Sequence, residues 1–156
     1  METYQLKQTV WDDTDFDFMV WHDNTVWSLL PNPAEDEFLL DLDYIFEWVR
    51  PAEGETWFKF WLAPATMVFQ NVHDVTINLT SCQGAITIAE LHREPEMAAG
   101  KVEYFRYRFE CEQGEILLDA TGFRMFVRRP PELRGLQFLS LSERGDVSFG
   151  RTSQEG

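Results

Sequence analysis

The sequence is short of cysteine, of long apolar runs and of signals that direct a chain out of the cell. Its two cysteines, Cys82 and Cys111, have neither metal-binding spacing nor a C-x-x-C motif, so each is expected to be a small strand or core residue. No apolar stretch reaches the length of a membrane span. The N-terminal METYQLKQTV also lacks the basic and apolar regions of a secretory signal. These absences predict a cytoplasmic protein with free thiols.

Basic residues are scarce as well. Lys and Arg number 13 against 27 Asp and Glu, which gives a net charge of -14. A surface of this charge repels nucleic-acid phosphates and anionic membranes, so binding to neither is predicted. It attracts a basic protein partner and speeds the encounter. The simpler alternative is that the charge only keeps the protein in solution.

Motifs typical of enzymes are missing too. The chain contains no H-E-x-x-H, no G-x-S-x-G, no P-loop and no dinucleotide-binding glycine pattern. Neither cysteine stands beside a basic group that would activate it. The sequence therefore predicts no catalytic residue, no cofactor and no bound metal, and it favours a protein that is not an enzyme.

What the sequence does have is a hydrophobic period of two along almost the whole chain, which predicts strands. The clearest case is EFLLDLDYIFEWV, residues 37–49. One predicted face of this strand carries Leu40, Leu42, Tyr44, Phe46 and Trp48. Residues 104–111, YFRYRFEC, alternate in the same way, and the following EQGE predicts a tight hairpin to a strand that starts at Ile116.

Turn-forming residues divide the remainder. Residues 56–79 are expected to form two or three strands, broken at Pro64 and near Asn71. Gly122 indicates a bulge or a bend. The stretch EPEMAAGK, residues 94–101, is the best candidate for a helix. Residues 137–144, QFLSLSER, predict a last strand.

About ten strands joined by short polar turns predict an all-β protein with little helix. The pattern indicates one domain, residues 1–149, which is either an antiparallel sandwich or a partly closed barrel. Residues 150–156, GRTSQEG, are predicted to be a disordered tail.

Two of the three histidines share a local pattern, HDNTV at residues 22–26 and HDVTI at residues 73–77. If the two corners met, His22, Asp23, His73 and Asp74 could hold a divalent metal that activates water. The alternative is that Asp23 and Asn24 turn the chain between strands, since Asp and Asn hydrogen-bond their own backbone. We expect a corner between the flanking tryptophans before a metal site.

Two further groups of side chains are candidates for binding. Asp41 and Asp43 alternate on the more polar face of the 37–49 strand and predict a solvent-exposed acidic face. Trp57 and Trp61 lie four residues apart, so an exposed pair could stack on a sugar or an apolar partner. The alternative is that both tryptophans are buried in the core.

Several segments together resemble a family of small acidic bacterial proteins that is uncharacterised. They are WHDNTVWSL, FLLDLDYIFEWV, FWLAPATMVFQNVHDVTINL and FRYRFECEQGEI. In size, acidity and β content the chain is also similar to the immunity proteins that neutralise bacterial toxins. That similarity implies a role in which carboxylates cover the basic active site of a toxin.

The sequence thus favours a protein-binding module that engages a basic partner through an acidic surface. The predicted binding residues are His22, Asp23, Asn24, Asp41, Asp43, His73 and Asp74. Two alternatives stay open: a metal-dependent hydrolase that uses the two His-Asp corners, and a barrel that holds a small apolar ligand. The oligomeric state does not follow from the sequence.

Overall fold

The computed structural model describes residues 3–153, and this range is built mostly from β-strands. The strands are β1 (Val10–Asp12), β2 (Thr25–Asn32), β3 (Glu37–Val49), β4 (Lys59–Gln70), β5 (His73–Leu79), β6 (Ile86–Ala98), β7 (Lys101–Cys111), β8 (Gly114–Ala120), β9 (Gly122–Val127) and β10 (Glu132–Arg134). The helices of this range are short: 3₁₀ helices at Asp13–Phe18 and Pro33–Glu35, and α1 at Leu141–Arg144. The prediction of an all-β fold with little helix is confirmed.

Every strand pair is antiparallel, in the order β1-β9-β4-β3-β2-β6-β7-β8-β5, with β10 also beside β4. The two halves of this sheet face each other across the main core. The ring of Phe69 on β4, for example, lies 4.9 Å from that of Tyr107 on β7, although these strands are not neighbours. Strands β1 and β5 end the order unpaired with each other, so within residues 3–153 the sheet does not close into a barrel. This arrangement agrees with the predicted sandwich.

The chain passes from one half to the other at a sharp bend between β8 and β9. Strand β8 pairs with β7 and β5, whereas β9 pairs with β4 and β1. Only Thr121 separates them, and Gly122 begins β9. A Cβ on Gly122 would collide with the carboxylate of Asp13. The bend predicted at Gly122 is confirmed, and a larger residue there would require the Asp13 side chain to move.

The predicted hairpin is also present, between β7 and β8. Gly114 has a φ of 140°, and a Cβ on it would collide with the backbone carbonyl of Asn78 on β5. Glycine therefore permits both the tight turn and the approach of the edge strand.

A β-bulge at Phe46 breaks the alternation of β3. The pairing of β3 with β4 skips Phe46, so the residues after it change face. Trp48 pairs with Phe60 and lies on the side of Ile45, not on the side of Leu40. The assignment of Trp48 to the face of Leu40 is wrong. The sequence could not predict this bulge, because Phe46 is an apolar residue among other apolar residues and does not interrupt the hydrophobic pattern.

Residues 94–101 do not form the expected helix. They belong to a long hairpin in which β6 continues to Ala98 and the chain turns at Ala99 and Gly100. Pro95 is tolerated because β2 pairs with only the first two residues of β6, so Pro95 lies on a free edge. Cross-strand pairing with β7 outweighs the helical preference of a segment only two turns long.

The break predicted at Asn71 is confirmed, but Pro64 lies within a continuous β4. The Pro64 carbonyl accepts from the Arg128 N–H. On this edge of β4 the neighbouring strand changes from β9 to β10. Strand β9 ends opposite Ala65 and β10 begins opposite Leu62. The missing N–H of Pro64 falls in the gap between them, where no strand needs it.

Residues 137–140 form an irregular, bent segment that leads into α1, so the predicted last strand is wrong. Ser140 caps the helix: its hydroxyl accepts from the Glu143 N–H, and the Glu143 carboxylate accepts from the Ser140 N–H. This capping box outweighs the short apolar alternation. The predicted tail begins at residue 150, where Gly150 accepts from Thr66 and Arg151 pairs with Glu37. Residues 154–156 lie outside the described residues.

Candidate functional site

The side of β3 and β4 that points away from the main core, termed the outer face, carries Asp41 and Asp43. Both side chains are fully buried. They are covered by residues 135–151, termed the C-terminal segment, which hydrogen-bonds to both carboxylates. The prediction of a solvent-exposed acidic face is therefore wrong. Alternation along β3 could not reveal that a distant part of the chain packs over the strand.

Two arginines neutralise these carboxylates. Arg144 of α1 donates to the two oxygens of Asp41 at 2.7 and 2.8 Å, and its Nε donates to Asp43 at 3.0 Å. Arg128, which follows β9, donates to Asp41 at 2.8 Å. Two carboxylates and two guanidinium groups form a buried cluster without net charge. Pairing of this kind offsets the large cost of removing each ion from water.

Burial and neighbouring charges have opposite effects on the pKa of each arginine. Burial lowers the pKa of Arg144, but hydrogen bonding to Asp41 and the charge of Asp43 outweigh it, and the net shift is upward. For Arg128 burial outweighs the attraction of Asp41, and the pKa is lowered. Both side chains stay cationic near neutral pH, because a guanidinium group does not lose its proton in proteins.

Hydrogen bonds from other groups complete the cluster. The indole Nε1 of Trp27 donates to Asp43 at 2.7 Å, and the backbone N–H groups of Leu139 and Ser148 donate to Asp43 and Asp41 at 2.9 Å. The carboxylates are thus occupied within the protein. They fasten the C-terminal segment to the sheet and are not available to a partner.

The same face ends in an open groove lined by aromatic side chains. The groove has a volume of about 600 Å³. Its lining residues are Trp48, Trp57, Phe58, Phe60, Gly135, Leu136, Gln137 and Phe138. Trp57 is 81% exposed and Leu136 is 60% exposed. Large apolar side chains gathered in one exposed patch are typical of an interaction site.

Three parts of the chain build this groove. The bulge at Phe46 turns Trp48 toward it, where the Trp48 ring packs edge-on against Phe58 and Phe60 at 6.0 and 5.0 Å. The loop between β3 and β4 carries Trp57. The start of the C-terminal segment, residues 135–138, supplies the opposite wall. The pairing of β10 with β4, the hydrogen bond from Gln137 to Asp23 and the contacts of the C-terminal segment with Asp43 hold this wall in place.

The WHDN corner lies at the edge of the groove. Asp23 has a φ of 65°, and the chain turns there before β2. The His22 ring stacks on Trp48, with centroids 5.9 Å apart, and its Nδ1 lies 3.2 Å from the carbonyl of Ala89. Asp23 accepts from Gln137 of the C-terminal segment at 2.8 Å. The expected corner is present. It places two of the predicted binding residues, His22 and Asp23, beside the groove residues Trp48 and Gln137.

Asn24 has a different role from its two neighbours. Its side chain is fully buried, and its Oδ1 accepts from the backbone N–H of Ile45 at 3.0 Å. The Asn24 backbone carbonyl accepts from Ile88 on β6. Asn24 thus connects the corner to β3 and β6 and does not face a partner.

A second pocket, of about 460 Å³, adjoins the groove. Gln137 and Phe138 line both, so the two adjoin at these side chains. The second pocket adds Trp27 and the carboxylates of Asp23 and Glu112, and its described lining includes no Lys, Arg or His. An apolar groove therefore lies beside an acidic pocket.

The two His-Asp corners do not form a common metal site. Within residues 3–153, one group of three or more potential metal ligands has its ligand atoms within 4.8 Å of one another, and it consists of His73, Asp74 and Asp119. His22 is not among them. The hydrolase alternative, which required both corners, is left without its predicted site.

Sequence reasoning missed most of the groove. Trp57 was noted, but only as the partner of Trp61, which is buried against Tyr4 on the other side of the sheet. Leu136 and Phe138 lie beside and within the predicted last strand, residues 137–144, whose apolar alternation indicates a strand and not a binding site. The available signal was the pair of apolar clusters in loop-like contexts, TWF after Gly54 and LQF after Gly135.

Comparisons with known proteins give no relationship: no family model, no curated protein and no solved structure matches this chain. None of the helices in residues 3–153 has the length and apolar character needed to cross a bilayer.

Proposed function

We propose that this chain is a protein-binding module that holds a segment of a basic partner. An apolar side chain of the partner occupies the aromatic groove, and a neighbouring Lys or Arg enters the adjoining acidic pocket. The observation that carries the proposal is that these two cavities lie side by side and share the side chains of Gln137 and Phe138.

The aromatic wall supplies the apolar part of the binding. Trp and Tyr side chains dominate the affinity of many protein interfaces, because they bury a large area while losing few rotamers. Trp57, at 81% exposure, has most of its surface available to a partner. The indole of Trp48 forms the floor beside it and is already fixed by contacts with Phe58 and Phe60.

Charge supplies selectivity and speed. Asp23 and Glu112 face a pocket lined by no described cationic residue, and the whole chain carries a net charge of -14. This field attracts a basic partner and raises the association rate at low ionic strength. A toxin with a basic active site, as in immunity proteins, is one partner of this chemistry. A cytoplasmic location belongs to the same proposal and agrees with the free thiols of Cys82 and Cys111.

The test compares matched baits in lysate of the source cells. Trp57→Ala removes the apolar wall, and Met97→Ala removes an exposed apolar side chain at the tip of the β6–β7 hairpin, away from the groove. Glu112→Gln removes a pocket charge, and Glu103→Gln removes an exposed charge on β7. A partner that binds the groove is captured by wild type and both controls and is lost by Trp57→Ala and Glu112→Gln.

The captured protein is then purified and its affinity measured by calorimetry at two salt concentrations. We expect binding to weaken with salt and with Trp57→Ala, by about 2 kcal/mol or more for a central tryptophan. Equal affinity of Trp57→Ala and Met97→Ala for the purified partner would overturn the proposal.

A further inference from the structure

The second His-Asp corner has a geometry that the first lacks. Neighbouring residues of a regular strand point to opposite faces. At the start of β5 the pairing with β8 is irregular between His73 and Thr76, and Asp74 has a φ of 53°. This irregularity brings the side chains of His73 and Asp74 to the same place. His73 pairs directly with Asp119 of β8, which completes a group of three.

Asp119 is a buried carboxylate whose cationic neighbours stand too far away to satisfy it. Its side chain is 8% exposed, and the nearest cationic atoms are Nε of Arg106 at 3.5 Å and Nε2 of His73 at 3.6 Å. Both distances exceed the usual length of a charge-assisted hydrogen bond, about 2.7–2.9 Å. A carboxylate removed from water gains most from a close cation, and this one has room for another.

The two oxygens of Asp119 point to different partners. Oδ1 faces Arg106 of β7, and Oδ2 faces His73. Arg106, which also lies 3.4 Å from Glu96, faces Oδ1 only, so Oδ2 can bind together with the imidazole. Such a contact to the other oxygen of a ligating carboxylate is typical of metal sites. The ring of Tyr104 packs edge-on against that of His73, with centroids 4.9 Å apart.

We propose that His73, Asp74 and Asp119 bind one divalent transition-metal ion of the zinc class, independently of the groove. One imidazole nitrogen and two carboxylate oxygens are ligands that Zn²⁺ accepts, at about 2.0–2.2 Å. Adjacent ligands of a tetrahedral ion at this distance lie roughly 3.3–3.6 Å apart. The three ligand atoms already lie within 4.8 Å of one another. Rotation of the exposed His73 and Asp74 side chains closes the remaining difference, and water takes the fourth position.

The matched control is the first corner. His22 and Asp23 have the same local sequence and an Nε2-to-Oδ2 distance of 3.4 Å, but among residues 3–153 no third ligand stands beside them. Zn²⁺ is titrated into the full chain by calorimetry, and Co²⁺ binding is followed by its visible absorption. We expect one ion per chain for wild type and for His22→Ala. His73→Ala and Asp119→Asn weaken binding on the order of tenfold or more, since even outer contacts of a metal site change affinity about 10–100-fold.

Two further readouts make the outcome decisive. His73 is half exposed, so His73→Ala keeps the fold, and circular dichroism checks this before titration. Excess Ca²⁺ leaves the Zn²⁺ affinity unchanged, because an imidazole ligand favours zinc over calcium. Absence of Zn²⁺ binding to wild type, or equal loss in His22→Ala and His73→Ala, would overturn the proposal.

Discussion

Arg144 donates two hydrogen bonds to Asp41 although 103 residues separate them, and neither side chain is exposed to solvent. This pair joins Arg144, the last residue of α1, to Asp41 within β3. It therefore decides whether the C-terminal segment stays on the outer face of the sheet.

Replacement of Arg144 by methionine is expected to destabilise the protein by about 3–5 kcal/mol, because Asp41 and Asp43 then lose a buried cation. The matched control is Arg151→Ala, which removes an ion pair with Glu37 in which Arg151 is 43% exposed. Exposed pairs contribute about 1 kcal/mol or less. Urea unfolding of both variants measures the difference. Similar midpoints for the two would show that the buried cluster has no special role.

Asn24→Ala should cost about 1–3 kcal/mol, because the buried N–H of Ile45 loses its acceptor. His22→Ala, two residues earlier in the same corner, removes a side chain that is 58% exposed. It should change stability by no more than about 0.5 kcal/mol. Thermal unfolding of the two variants compares them directly. A larger loss for His22→Ala would mean that its stacking on Trp48 holds the corner.

The two thiols are expected to react very differently. Cys82 is exposed and Cys111 is buried, and burial, with a smaller effect of Glu110, raises the pKa of Cys111 to about 11. At pH 8 a disulfide reagent should therefore label one thiol in the native protein and two in guanidinium chloride. Cys82→Ser should reduce native labelling to none. Native labelling of Cys111 would indicate that the β7–β8 hairpin opens.

Acid is expected to weaken the N-terminal cap of α1, in which the Glu143 carboxylate accepts from the Ser140 N–H. Hydrogen bonds from Ser140, with a further one from Arg134, lower the pKa of Glu143 to about 2. Since the folded-state pKa lies below the value of about 4.3 in unfolded chains, this carboxylate stabilises the fold above pH 4.3. The contribution is lost as the pH falls toward 2.

Arg134→Gln removes one of these hydrogen bonds and should move the Glu143 titration to higher pH. Carboxyl carbon shifts measured by NMR between pH 2 and 6 follow the titration directly. Glu143 titrating at the same pH in wild type and Arg134→Gln would show that Arg134 has no part in the lowered pKa.

The strands could be predicted because their information is local. The apolar residues of 37–49 alternate with a period of two, so a helix could not bury them on one face. The EQGE turn after residues 104–111 predicts a hairpin because Gly114 can adopt the positive φ that the turn requires. The bend at Gly122 was equally visible, because glycine within an apolar strand marks a close approach or a change of direction.

The candidate site could not be predicted because it is formed by residues that lie far apart in the sequence. Asp41 and Asp43 have the same spacing whether water or Arg144 covers them. Trp48 reaches the groove through a bulge that the apolar pattern conceals. His73 gains its third potential ligand from Asp119 through the register of β5 on β8, which depends on the whole sheet.

The arginine cluster also sets an order of events during synthesis. Chains are made at about 5–20 residues per second, so the 103 residues between Asp41 and Arg144 take roughly 5–20 s to appear. During that interval the two aspartates have no cation from α1 and must stay hydrated. The outer face therefore stays open to water until the C-terminal segment has been made, and the groove gains its far wall only after residues 135–138 have been added to the chain.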